Sequence, residues 1–316
     1  MLVTSAFGKD ITRMNAVNRY ARFAVPIAGA AACALAGWTA YKWMRLKRTP
    51  ALSDESARAG ITVRYTQAGP YRMFSRHASR ASANTKRLPV VLVHGLVISS
   101  RYMEPLALAL RDDFDVHAPD LPGFGESTMR SGTLSLRELA DALALWLAAR
   151  GIRKAMFIGN SFGCQILAEF ALRYPDSVDR LVLQGPTVDR HARHLPVQAW
   201  RDRQNGKLER ARSPAGIGRI DYAKAGIIRA WATMRVLIRD RIERKLSRIV
   251  APTLVVSGTR DPVAPLAWAR EVAALIPNGR FMAIDGGTHT LNYVHPHSLA
   301  LAIRPFLLQG DEARSV

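Results

Sequence analysis

Apolar positions beyond residue 60 fall into short runs that switch between two periods. Pro89-Val90-Val91-Leu92-Val93 is continuously apolar, as a strand buried on both faces of a parallel sheet requires. Segments 114–118, 155–158, 181–183, 253–257 and 281–284 read as further strands. Between them, Leu136, Leu139, Leu143, Trp146 and Leu147 recur every three or four residues, which predicts a helix. The capping box Ser135-Leu136-Arg137-Glu138 opens that helix, which runs to about residue 150. Segments 162–174, 266–275 and 298–308 also read as helices, and 61–65 with 71–74 as an opening hairpin turned at Gly69-Pro70. Alternating strands and helices imply an α/β fold: a mostly parallel twisted sheet with helices on both faces.

The alternation stops at residue 187 and resumes after 248. No strand pattern occurs there, and Trp200, Ile220, Ile227, Ile228, Trp231, Met234, Leu237, Ile238 and Ile242 suit helices. The expected organisation is a core of 61–186 and 249–310, with 187–248 inserted as a helical layer.

The first 60 residues follow neither pattern. Segment 23–41 has no charged residue, is bracketed by Arg22 and Lys42, and ends near Trp38, Tyr41 and Trp43. Nineteen residues at 1.5 Å rise span roughly 28 Å, so the segment is expected to be a single-pass membrane anchor, with 49–60 as a linker. Competing readings are a cleaved signal peptide, with Ala34-Leu35-Ala36 as the site, and a helix lying on a membrane surface or on protein. Four basic residues precede the segment and five follow closely, which tips the count toward a cytoplasmic location for residues 61–310.

Charge sharpens this division. The chain carries 45 Lys+Arg against 25 Asp+Glu, a formal +20. Segment 187–248 holds sixteen basic and six acidic side chains, and segment 1–60 nine and three. Only eight of the basic residues are Lys, and no zinc-finger spacing, RNP-like aromatic motif or basic zipper accompanies them, so no nucleic-acid partner is expected. The excess in 187–248 suits solvated Arg faces on the inserted helices, or docking to anionic headgroups or other anions. Two cysteines, Cys33 and Cys164, build neither a disulfide framework nor a zinc site.

Candidate chemistry gathers at the predicted strand ends. Gly159-Asn160-Ser161-Phe162-Gly163 is a G-x-S-x-G sequence between a strand and a helix, the context in which a sharp turn lifts the serine hydroxyl above the sheet. A serine needs a base, and the base needs an orienting group. Asp261 in Gly258-Thr259-Arg260-Asp261-Pro262 and His289 in Gly286-Gly287-Thr288-His289 each follow a strand and share an edge with Ser161. Asp189 and Asp285 are rival acids, and Asp261 could instead cap a helix. The backbone N–H groups of Leu96, after His94-Gly95, and of Phe162 are the expected oxyanion donors. His94 is expected to hold its loop together, His117 to be a strand residue without chemistry, and His191 and His194 to lie on a solvated helix face.

These motifs, together with Asp120-Leu121-Pro122-Gly123-Phe124-Gly125-Glu126-Ser127, resemble the α/β-hydrolase superfamily over residues 61–310. The resemblance implies Ser161 as nucleophile, Asp261 as acid, His289 as base and the inserted helices as a lid. It implies no metal or organic cofactor, and a small, hydrophobic ester as substrate. Haloalkane dehalogenases and epoxide hydrolases are similar but carry Asp at the elbow. Carbon–carbon hydrolases of aromatic degradation also use Ser, Asp and His. Their usual H-G-x-G-P-G loop and the Trp after the histidine are replaced here by His94-Gly95-Leu96-Val97-Ile98 and Asn292-Tyr293. A carboxylic ester hydrolase is the first reading; a carbon–carbon hydrolase or cofactor-free perhydrolase is the alternative, and a non-catalytic binding protein a remote one. Oligomeric state leaves no mark in the sequence.

Overall fold

The computed structural model describes residues 36–80, 87–129, 132–210 and 212–309. They belong to two compact units divided between Thr49 and Pro50.

The first unit contributes one described helix, α1, over residues 36–47. Thr39 Oγ1 donates to the Ala36 carbonyl, and Lys42 Nζ lies 4.5 Å from the centre of the Trp38 ring. Residues 23–35 of the expected anchor, and the Ala34-Leu35 part of the possible cleavage site, lie outside the described residues. Among the described residues no helix is long and apolar enough to cross a membrane, which corrects the expectation of a single-pass segment and the localisation drawn from it. The described residues of α1 include Lys42, Arg45 and Lys47, charged side chains that a hydrocarbon core disfavours.

The second unit begins eleven residues before the expected boundary, because 50–60 does not behave as a linker. Ser53 caps a short helix, α2 (Asp54–Arg58), Ser56 Oγ donates to Glu104 Oε2 at 2.5 Å, and the Ala51 carbonyl accepts from Arg76 Nη2. The remaining helices are α3 (Glu104–Leu110), α4 (Leu136–Ala149), α5 (Phe162–Arg173), α6 (Leu195–Leu208), α7 (Ala215–Ala225), α8 (Ile227–Arg239), α9 (Glu243–Leu246), α10 (Leu266–Leu275), α11 (Leu291–Val294) and α12 (Pro296–Leu308). The strands are β1 (Thr62–Ala68), β2 (Tyr71–Ala78), β3 (Val90–Val93), β4 (Val116–Pro119), β5 (Ala155–Asn160), β6 (Val178–Gln184), β7 (Thr253–Gly258) and β8 (Gly279–Ile284).

They form one sheet in the order β1-β2-β4-β3-β5-β6-β7-β8. β2 is antiparallel to both β1 and β4, and every pairing from β4 through β8 is parallel. The sheet sorts alternate residues of each central strand into two cores. Val91, Val93, Phe157, Leu181 and Val255 meet α4, α5 and α10 through Leu143, Trp146, Ile166, Phe170 and Trp268. Val90, Leu92, Met156, Ile158, Val182 and Val256 meet α3 and α12 through Leu106, Leu110, Leu299 and Ile303. Two covered faces explain why the strand sequences are apolar without alternation. The capping box at α4 is formed in both directions: Glu138 N–H donates to Ser135 Oγ at 3.3 Å and Ser135 N–H to Glu138 Oε2 at 2.8 Å.

Helices α6 to α9 lie between β6 and β7 in the chain. Several basic side chains of segment 187–248 are paired with acids. Arg193 pairs with Glu243, Arg201 with Asp189, Lys224 with Glu126, and Lys245 with both Glu169 and Asp240.

Candidate active site

The turn from β5 into α5 is as tight as its glycines suggest. A Cβ on Gly163 would come within 2.4 Å of the Val93 carbonyl oxygen, and one on Gly159 within 2.9 Å of the Gly163 backbone. Ser161 itself adopts φ 56°, ψ −116°, held by its N–H donating to the Gln184 carbonyl at 3.0 Å. Such a conformation costs on the order of 1–3 kcal/mol and persists only where the surroundings enforce it. Val97, in the loop after β3, is the other non-glycine residue with positive φ among the described residues, at 48°. Strain among the described residues therefore collects at the elbow and the loop facing it.

Asp261 and His289 come from the loops after β7 and β8. His289 Nδ1 lies 2.8 Å from Asp261 Oδ2, while Asp261 Oδ1 accepts from the Val263 and Ala264 N–H groups at 2.8 and 2.9 Å. Asp261 thus caps its own turn and holds the histidine with one carboxylate. The rival acids are engaged elsewhere: Asp189 with Arg201 and the His191 N–H, Asp285 with Thr259 Oγ1. Burial opposes the imidazolium of His289, but Asp261, and beyond it Glu209 and Asp202, outweigh burial and raise its pKa above the ordinary histidine value. Gly185, at φ 57°, packs against this pair: a Cβ there would lie 3.0 Å from His289 Nδ1 and 3.2 Å from Asp261 Oδ2.

Ser161, His289 and Leu96 line one cavity of about 450 Å³, with Met234, Leu237, Val263 and Tyr222 supplying apolar wall and Asp202, Asn205 and Glu209 a polar one. Trp200 on α6 and Trp231 on α8 are 58% and 56% exposed, because their helices turn those faces outward. Phe162 is buried at the first position of α5, where its N–H precedes any helical acceptor.

His94 is a loop clamp. Its Nδ1 lies 2.9 Å from the Gly95 carbonyl oxygen, and its Nε2 accepts from the Leu121 N–H at 3.0 Å. That pattern needs a neutral ring, and burial lowers its pKa. Downstream, buried Asp120 accepts from the Ser100 and Glu126 N–H groups, so the Asp120 to Ser127 segment braces the same loop. Burial likewise pushes the Cys164 thiol up, and its Sγ lies 3.2 Å from the Gly159 carbonyl oxygen.

A buried polar chain links the three loops, and no motif in the sequence marks it. Gly95 N–H donates to Tyr102 Oη at 2.7 Å, Tyr102 Oη to Asn160 Oδ1 at 2.8 Å, and Asn160 Nδ2 to the His289 carbonyl at 3.1 Å. Gln184 adds a 2.7 Å bond to the same carbonyl. From α6, Asn205 Oδ1 accepts from the His289 N–H at 3.1 Å and Glu209, just beyond the helix, from the Thr290 N–H at 2.9 Å. Only Asn160 had a local signal, as the variable residue of G-x-S-x-G.

A sequence family described as alpha/beta hydrolase fold matches residues 89–213, and a second, described as TAP-like protein, matches 229–315. The chain belongs to the α/β-hydrolase superfamily. It is a hydrolase, as its curated relatives are. One of them, a pimeloyl-[acyl-carrier protein] methyl ester esterase of Xanthomonas campestris, is 26% identical over 244 residues, covering 69% of this chain and 94% of the relative. Two solved structures have the hydrolase's fold. A membrane phospholipase A has a TM-score of 0.68 at 22% identity and covers 95% of this chain and 100% of its own. An enol-lactonase from Burkholderia xenovorans has a TM-score of 0.64 at 22% identity, covering 78% and 100%.

Proposed function

We propose that this hydrolase cleaves a carboxylic ester through an acyl-enzyme intermediate. With Nδ1–H donated to Asp261, His289 offers Nε2 as the base. It takes the Ser161 proton as Oγ attacks the ester carbonyl. The carbonyl electron pair moves to oxygen, and that oxyanion is received by the Leu96 and Phe162 N–H groups. Collapse expels the alkoxide, which His289 protonates; water, deprotonated by His289, then attacks the acyl-enzyme and restores Ser161. No step calls on a metal or organic cofactor. Helices α6 to α9 act as the lid, and the wall of Leu96, Met234, Leu237 and Val263 takes a small hydrophobic substrate.

The observation that carries this reading is the 2.8 Å His289–Asp261 contact, with His289 and Ser161 opening onto one cavity. The esterase named among the curated relatives supports the choice of bond. The test is labelling of the folded protein by a fluorophosphonate probe, alongside hydrolysis of a series of p-nitrophenyl esters of increasing chain length. Both are expected in the native chain and both are lost in Ser161→Ala. A folded protein that neither labels nor hydrolyses any ester overturns the reading.

A further inference from the structure

His77, Asp115 and His117 form a cluster that the ester chemistry does not use. In the β2–β4 register His77 stands directly opposite His117, so both imidazoles project from the same face of the antiparallel pair. Asp115 precedes His117 by two residues and returns to that face. The rings of His77 and His117 are stacked at 4.8 Å, and the Nε2 of each is turned to a different oxygen of Asp115, His117 at 3.0 Å and His77 closer still. One ligand atom from each residue lies within 4.8 Å of the other two.

We propose that His77, Asp115 and His117 are a binding site for one divalent transition ion of the Zn²⁺ class. Two imidazole nitrogens and one carboxylate oxygen are the donors such ions prefer, at about 2.0–2.2 Å each, with a fourth position left to water. Among the described residues the only ion-pair partners of Asp115 are the two histidines, so no Lys or Arg competes for its carboxylate within the cluster. Arg150 feels the Asp115 charge without bonding to it.

The surroundings fit the demands of a ligand set. His117 is almost fully buried and packs edge-on to Trp146 at 6.0 Å, which fixes one ligand. His77 Nδ1 lies 3.3 Å from Thr62 Oγ1, the kind of outer partner that orients a metal-bound imidazole and receives its second proton. Asp115 is 45% exposed at its side chain, so it is the member free to swing outward and admit an ion between the rings. The site would pin β2 to β4 at the one place where the parallel sheet turns antiparallel.

The test uses the full chain, stripped with EDTA and desalted, titrated with ZnSO₄ by calorimetry and followed by thermal unfolding. One Zn²⁺ per chain and a raised Tm are expected, with affinity reduced about tenfold or more in His77→Ala and in Asp115→Asn. Both substitutions are at partly exposed positions, so they leave the core intact where His117→Ala would not. Absence of stoichiometric binding overturns the proposal. Binding of equal affinity in the native chain and both variants does so too, since it assigns the ion to other histidines such as His191 or His297.

Discussion

The strand-end loops and the helical insertion hold the same histidine in different ways. On the sheet side, contacts reach only a few residues from a strand terminus: Asp261 closes its own turn, and Ser161 is locked by the Gln184 carbonyl. On the insertion side, Asn205 and Glu209 come from 84 and 81 residues away to bond the His289 and Thr290 N–H groups. The sheet side fixes geometry with strain and close packing. The insertion side brings carboxylates, Glu209 and Asp202, into a wall of the cavity. We read the first as the part that makes the chemistry possible and the second as the part that sets its working pH and its substrate range.

The largest break in that comparison comes from the sheet side. Ser161→Ala or His289→Ala is expected to lower kcat for p-nitrophenyl acetate by on the order of 10⁴ to 10⁶, and Asp261→Asn by about 10⁴. Glu209→Gln at the pH plateau should stay within a few-fold of native. Comparable losses on both sides would erase the distinction.

Gly185→Ala is next. Its Cβ would crowd His289 Nδ1 and Asp261 Oδ2 at 3.0 and 3.2 Å, and its φ of 57° disfavours any side chain. The pair must shift by a few tenths of an ångström, which is expected to cost about tenfold in kcat, less than the roughly 10² of a 1 Å misplacement. The fold should survive, as near-native far-ultraviolet circular dichroism would show. Native activity in the variant would mean that the pair tolerates movement.

The two regions also differ in how far the sequence reveals them. Ser161, Asp261 and His289 each sit in a short motif at the end of an apolar run, so periodicity and turn chemistry locate them together. Leu96 and Phe162 follow from the same strand ends. Tyr102, Gln184, Asn205 and Glu209 carry no such mark, because the bonds that tie them to Asn160, His289 and Thr290 cross 58 to 105 residues and only the closed fold makes them. Trp200 and Trp231 show the same limit, since they lie on helices as their spacing predicts yet face outward. Helical spacing shows that a residue belongs on a face, but not which face meets the cavity. Residues 50–60 look like a linker by composition, yet backbone carbonyls of Ala51 and Ala59 are acceptors for core arginines that composition does not link to them. The pairing of Lys224 with Glu126 and of Lys245 with Glu169 of the core was likewise invisible in a net-charge count.

A smaller effect tests the substrate wall. Met234 lines the cavity and Trp231, three residues earlier on α8, does not. Met234→Ala is expected to change the ratio of kcat/KM between long and short p-nitrophenyl esters by about tenfold, consistent with the loss of a few methylene contacts. Trp231→Ala should leave that ratio unchanged. An equal shift from both would place the acyl chain outside the cavity described here.

The most discriminating measurement has the smallest effect on rate. In the proposed mechanism His289 must be neutral to accept the Ser161 proton, so kcat/KM is expected to fall as pH is lowered through its pKa. Burial opposes the charged ring, but Asp261 and then Glu209 and Asp202 raise that pKa, which puts the acid limb above the ordinary histidine value. Glu209→Gln removes one negative charge while its amide oxygen can still accept the Thr290 N–H. The imidazolium loses stabilisation, the pKa falls, and the acid limb moves to lower pH with little change on the plateau. Asp202→Asn should move it in the same direction by less. Loss of plateau activity without movement of the limb would make Glu209 a packing residue only. The insertion would then hold the histidine loop in place without tuning it, and both regions would serve geometry alone.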